Sequence, residues 1–204
     1  MPLSPETLLA ESRQRRSYRK FLPDPVDRTV LETCLLTAGT APSGANKQPW
    51  HFCVVTDPAM KEKIRAGSEA VEREFYAGRI TDAWRHDLEG LALAVEKPFL
   101  TEAPCLIVVF KEWWRPGADG EQEKNYYVTE SACLATGLLI NALRNAGYAS
   151  LIYTPAPPTF LRELLGRPEG ETPVMVLCVG RPDPSYELPA ITRKELGEFV
   201  SFFE

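Results

Sequence analysis

The stretch Thr37–Phe52, TAGTAPSGANKQPWHF, is nearly uncharged, rich in Ala, Gly, Ser and Pro, and ends in Gln48-Pro49-Trp50. A loop of this make-up exposes backbone and small hydroxyls rather than ionised side chains, so a close approach to its backbone is expected. On its N-terminal side Asp27 caps a predicted helix in which Leu31, Cys34, Leu35 and Ala38 share one face. On its C-terminal side WHFCVVT, Trp50–Thr56, is a continuous apolar run of strand length and β-rich composition. A helix, a small-residue loop and a strand therefore follow one another here.

Working outward, Ser4 before Pro5 and Glu6 reads as an N-cap, which predicts a helix to about Gln14. Asp57 and Pro58 open a third helix that continues to about Arg79. Asp82–Val95 also reads as helical, with Trp84, Leu88, Leu91 and Val95 on one side. PCLIVVFK, Pro104–Lys111, is the second strand, and Pro116–Asn125 a polar, turn-rich loop. Tyr126–Ala146 is predicted as the longest helix; its segment SACLATGLLINAL is almost without charge and must be covered on all sides, for which a dimer interface is a natural cover. Ala149–Thr154 is a third strand, Pro158–Leu165 a helix stopped by Gly166, and Pro173–Gly180 a fourth strand before a Pro-rich tail. This order predicts an α+β sandwich, with helices around a small sheet.

Composition narrows the function classes. The chain has 204 residues, 44% hydrophobic and 25% charged, which fits one globular domain with a real core. A net charge of −5 argues against a general nucleic-acid binder. No apolar run approaches the roughly 20 residues that span a bilayer, and the N-terminus lacks the apolar segment of a signal peptide. The five cysteines are scattered singly in apolar segments and read as small core residues in a reducing compartment. These features together predict a cytoplasmic protein without membrane or nucleic-acid partners. Two widely separated histidines and the absence of a G-x-S-x-G elbow leave metal and hydrolase chemistry unsupported.

RRSYRKF, Arg15–Phe21, packs three arginines and a serine into a few residues. That set suits a phosphate, because guanidinium groups fork charge-assisted hydrogen bonds to its oxygens; it equally suits a solvated basic run after a helix. Arg193, in TRKEL, is a second candidate that only the fold can bring close. There is no Walker or GxGxxG loop, so side chains would hold any such phosphate.

RRSYRKF, TAPSGANKQPWHF, a strand ending in Tyr153-Thr154-Pro155, then Gly180-Arg181-Pro182 and Arg193 resemble, in that order and over nearly the whole chain, the nitroreductase-like flavoproteins. The resemblance implies a single FMN-binding domain over residues 1–204, with a central, mostly antiparallel sheet flanked by helices. It also implies an intertwined homodimer with the flavin between subunits. Arg15, Arg16, Ser17, Arg19 and Arg193 would then hold the phosphate and ring edge of FMN. Pro42, Ser43, Ile152, Tyr153 and Thr154 would complete the cofactor site.

Within that family APSGA followed by a short polar segment and Pro-Trp resembles the iodotyrosine deiodinase branch. That branch has a substrate lid, implied here at about residues 68–100, which supplies a Glu, a Tyr four residues later and a Lys before an Ala-Pro strand entry. Those positions match Glu72, Tyr76 and Lys97. Glu72 can accept hydrogen bonds from an α-ammonium, while Tyr76 and Lys97 can bind an α-carboxylate; Glu72 and Tyr76 share one helix face. The resemblance further implies that Thr154 donates to flavin N5 and favours one-electron steps, and that the Ala45 amide polarises a phenolate oxygen. The implied reaction is FMN-dependent reductive dehalogenation of a halotyrosine or another halophenol, with electrons from NAD(P)H or a reductase. An NAD(P)H-dependent nitro- or quinone reductase would share fold, FMN and dimer without the amino-acid clamp.

Overall fold

The structure is a computed structural model that describes residues 4–78 and 95–204. Helix α1 spans Pro5–Arg13; Ser4 caps it through a hydrogen bond accepted from the Thr7 amide at 3.2 Å. Helix α2 spans Arg28–Ala38, and the Asp27 carboxylate accepts from the Val30 amide at 3.0 Å. Strand β1, Trp50–Val55, leads into α3, Pro58–Gly78, and after the short α4, Phe99–Glu102, comes β2, Cys105–Glu112. The short strands β3, Trp114–Pro116, and β4, Gln122–Lys124, follow. Helix α5 spans Val128–Asn145, β5 Ala149–Tyr153, α6 Phe160–Leu164 and β6 Glu171–Gly180.

The expected polar loop between β2 and α5 is instead a two-stranded hairpin of β3 with β4. Two three-residue strands rich in charge carry no apolar alternation, so the pattern that marks strands was absent. With 21 residues against 18, α3 and not α5 is the longest described helix. Helix α6 is shorter than its sequence suggests, and Gly166 with φ +61° does end it. The helix expected over Asp82–Val95, and the middle of the expected lid, fall outside the described residues except for Val95.

The main sheet runs β1-β2-β6-β5 and every neighbouring pair is antiparallel. In β2, Cys105, Ile107 and Val109 join Leu31, Cys34, Ala38, Leu139 and Leu143 of α2 and α5 in one core. The alternate residues Leu106, Val108 and Phe110 join Ile64, Leu100 and Leu161 of α3, α4 and α6 in the other. The period of two thus feeds both faces of a fully buried strand. A register shift between Val109 and Phe110 falls opposite Pro173, which has no N–H to offer a ladder.

Helix α5 is only half covered by this arrangement. Ala132, Ala135, Leu139 and Leu143 are buried, while Leu134 is 52% exposed and Cys133 also faces outward. Cys133 is therefore not the core residue that its apolar surroundings suggest. No helix among the described residues is long and apolar enough to cross a membrane. Replacing the fully buried Leu139 by Ala leaves a cavity between α5 and the sheet. It is expected to cost about 2–5 kcal/mol, read as a lower urea midpoint at unchanged slope.

Candidate active site

The end of α3 carries the acid of the expected clamp. Glu72 Oε2 lies 3.3 Å from Lys97 Nζ, and its other oxygen accepts from the Tyr153 hydroxyl at 3.2 Å. The Lys97 side chain is 6% exposed and that of Glu72 15%, so this is a largely desolvated ion pair. Removing either partner would leave a buried charge. Tyr76, one turn beyond Glu72, is half-buried, with its ring 5.6 Å from that of Phe75. The Tyr153 ring packs edge-on against Phe99 at 5.6 Å, and Lys97 Nζ lies 5.9 Å from its centroid. Burial, and then the Glu72 charge, push the Tyr153 hydroxyl far above the ordinary range, so it is a donor at any working pH.

What fixes Lys97 is a set of bonds from α3 to the chain that returns into β2. The Glu69 carboxylate accepts from the Lys97 amide at 2.8 Å and from Arg65 Nε at 2.7 Å. Arg65 reaches Thr101 Oγ1 at 3.1 Å, and the buried Lys61 donates to the carbonyls of Thr101 and Ala103 at 3.1 and 2.8 Å. Glu69 is a residue that spacing did not single out. Its one signal was the i,i+4 partnership with Arg65.

The second corner gathers arginines along the free edge of β5. Ser17 makes a parallel bridge with Ser150, which lays the Arg15–Arg19 segment beside that strand. From the far end of the chain Arg193 donates to the carbonyls of Arg13 and Arg15 at 3.0 and 3.1 Å. Arg16 donates to the carbonyl of Pro189. Arg15, Arg16, Tyr18 and Ser150 line a cleft here together with Arg144. Arg144 is neutralised by Glu11 at 2.8 Å, but among the described residues Arg15, Arg16, Arg19 and Arg193 make no ion pair with a carboxylate. Clustered guanidinium groups without acids are suited to a phosphate.

The small-residue loop has two physical causes. Gly44 sits under the chain entering α5, where a Cβ would come within 2.8 Å of Tyr127 Cδ2 and 3.1 Å of Tyr126 Cβ. Bulk is excluded there by the protein itself. Ala45, Asn46 and Gln48 all have positive φ, between 49° and 52°, a strained geometry for residues with a Cβ. The loop is held in it from several sides. Ser43 Oγ accepts from the Gln48 amide at 2.9 Å, Arg115 donates to the Lys47 carbonyl, and Lys47 pairs with Glu123 of the hairpin at 3.4 Å. Its internal hydrogen bonds use the amides of Asn46, Lys47 and Gln48. The exposed Ala45 contributes its amide to none of them among the described residues.

Topology divides the expected site. Strands β1 and β5 are opposite edges of the sheet, three strand spacings or roughly 14 Å apart. Thr154, Ile152, the arginines, Glu72 and Lys97 belong with β5, and Ile152 and Thr154 are exposed there. Pro42, Ser43 and Ala45 precede β1, at the same end of the sheet but the other edge. Within one chain Ala45 and Thr154 therefore belong to opposite edges of the sheet. Tyr153, expected at the cofactor, turns its side chain into the core beside Glu72.

A sequence model described as "Nitroreductase family" matches residues 12–181. The chain belongs to the nitroreductase family. It is 43% identical to the iodotyrosine deiodinase of Haliscomenobacter hydrossis over 94% of its length and 89% of that protein's. With the iodotyrosine deiodinase of Nematostella vectensis the identity is 40%, over 92% of this chain and 72% of the relative. A crystal structure of oxidised iodotyrosine deiodinase bound to FMN and 3-iodo-L-tyrosine superposes with a TM-score of 0.82 at 31% identity. The match covers 96% of this chain and 100% of that one.

The Glu69 junction has a definite pH signature. Burial raises its pKa, but the hydrogen bonds from Arg65 and the Lys97 amide and the Arg65 charge outweigh this, and the carboxyl ends below its ordinary range. Its folded pKa is depressed, so its contribution is complete above the unfolded value of about 4.3 and is lost as pH falls through the folded one. Glu69→Gln is expected to flatten this part of the acid limb in urea titrations at about pH 3–6. At neutral pH it should cost about 1.5 kcal/mol.

Proposed function

We propose that this chain catalyses FMN-dependent reductive deiodination of iodotyrosine, releasing iodide and tyrosine, with halogenated tyrosines as its substrate class. The observation that carries the reading is the desolvated Glu72–Lys97 pair, an acid and a base side by side, next to the strand end that bears Thr154. A zwitterionic α-amino acid needs this combination, whereas a nitroarene or quinone has no use for it. Identity above 40% over nearly the whole chain to a deiodinase supports the same conclusion.

The residues fit FMN. Arg15, Arg16 and Arg193, which the fold brings together, would take its phosphate with Arg19 of the same segment and Ser17 as a short donor, and none of these arginines pairs with an acid among the described residues. Thr154 would present its hydroxyl to the ring from the exposed end of β5. FMN when bound supplies the two electrons that the reaction consumes, delivered to it by NAD(P)H or a reductase. With a proton these replace iodine by hydrogen: the carbon–iodine bond breaks, a carbon–hydrogen bond forms and iodide leaves.

The chain's own part is orientation and charge. Glu72 accepts the α-ammonium, and Lys97 with Tyr76 binds the α-carboxylate. The Ala45 amide, outside the loop's own hydrogen bonds, donates to the phenolate oxygen and steadies its charge. Because Ala45 and Thr154 lie at opposite edges of one sheet, the complete site requires a second copy, in which the Pro42–Ala45 loop meets the β5 edge of the first. The exposed stripe of α5 around Leu134 and Leu138 would be covered in that homodimer. The acidic composition and scattered cysteines support a cytoplasmic setting.

Anaerobic reduction of the flavin-loaded protein, followed by 3-iodotyrosine, is expected to give one tyrosine and one iodide per flavin reoxidised. Reduced flavin that ignores iodotyrosine but is oxidised by a nitroarene would move the assignment to a nitroreductase. Glu72→Gln and Lys97→Gln should each weaken iodotyrosine binding about tenfold or more while FMN stays bound. Undiminished affinity in both would remove the clamp.

A further inference from the structure

We infer that Tyr153 is a positioning residue of the substrate clamp, its hydroxyl holding the Glu72 carboxylate at the end of the strand that carries Thr154. This rests on the deiodinase reading and assigns a role to a residue expected only at the cofactor. The geometry is specific. One oxygen of Glu72 takes the Tyr153 hydroxyl at 3.2 Å, and the other faces Lys97 Nζ at 3.3 Å. The phenol thus occupies one side of the carboxylate and leaves the other for a cation.

Glu72 needs such a tether. The buried residues of α3 are Lys61, Ile64 and Ser68, so Glu72 lies one turn beyond the last of them. Tyr153 is 9% exposed, packed edge-on against Phe99 and fixed within β5 by pairing with Val176. The hydroxyl therefore ties a carboxylate near the end of a helix to a rigid strand, across 81 residues of sequence. Because the phenol stays protonated, its O–H remains a donor to Glu72.

The same geometry describes exchange with substrate. An incoming α-ammonium takes the place of Lys97 at the second oxygen of Glu72, and Lys97 turns to the α-carboxylate. The Tyr153 bond persists through both states. The carboxylate then keeps its aim while its cationic partner changes. Tyr153→Phe would fill the same space and lose only this bond.

The test is Tyr153→Phe in the flavin-loaded full-length protein, with 3-iodotyrosine and 2-iodophenol as probes and thermal melting and flavin content as controls. The expected result is an iodotyrosine Kd and KM raised about tenfold more than those for 2-iodophenol, which lacks the zwitterion, with kcat for iodotyrosine changed much less than KM. In the double variant Tyr153→Phe, Glu72→Gln the loss of the hydroxyl should cost nothing beyond Glu72→Gln alone. Equal losses for the two ligands, an unchanged iodotyrosine Kd, or additive losses in the double variant would overturn the positioning role. A wild-type protein that holds FMN but binds no halotyrosine would instead overturn the deiodinase reading on which it rests.

Discussion

The pairing of β2 with β6 is the constraint from which the rest of this structure follows. Cys105–Phe110 is wholly buried, and its alternate residues supply two separate cores on the two faces of the sheet. A pair buried on both faces has no surface left for chemistry. Function is consequently confined to the outer strands and the loops at their ends. The order β1-β2-β6-β5 then sends the small-residue loop to one edge and the Thr154 strand end to the other. The separation of roughly 14 Å is a consequence of the core and not a feature of the site. On the proposed deiodinase reading, that separation is what calls for a second copy.

The fold was legible in the sequence wherever one physical signal dominated. Ser4 and Asp27 cap the helices their position announces, and WHFCVV and CLIVVF pair as neighbouring strands. The β3–β4 hairpin was hidden, because its strands are short, charged and held by Arg115, Asn125 and Glu112 instead of by an apolar face. Cys133 was misread for a related reason. Its neighbours are apolar, but it lies on the stripe of α5 that the sheet does not reach.

Two groupings among the expected site residues come from the fold and not from local sequence. Glu72 and Lys97 meet as a pair, and Arg193 crosses the whole chain to the Arg13–Arg15 backbone. No local pattern encodes either meeting, since both depend on which edge each segment reaches. Tyr153 shows the limit most clearly. Strand alternation alone sends it to the face opposite Ile152, towards α3, where it meets Glu72, a partner that its place in the sequence does not show. Gly44 shows a local cause for the loop's small residues, since Tyr127 stands where its Cβ would be.

The electrostatics of the clamp explain why its members are bonded to one another. A carboxylate and an ammonium kept apart in a largely desolvated place would each carry a heavy desolvation cost. Pairing Glu72 with Lys97 at 3.3 Å offsets that cost. In the proposed exchange a zwitterion would bring the same two charges in reverse order, so that two pairs replace one. A neutral phenol offers neither charge and leaves the resting pair in place. On the proposed clamp, selectivity for an amino acid over a simple halophenol would then arise from exchange within a buried ion pair, not from the affinity of an open, charged pocket.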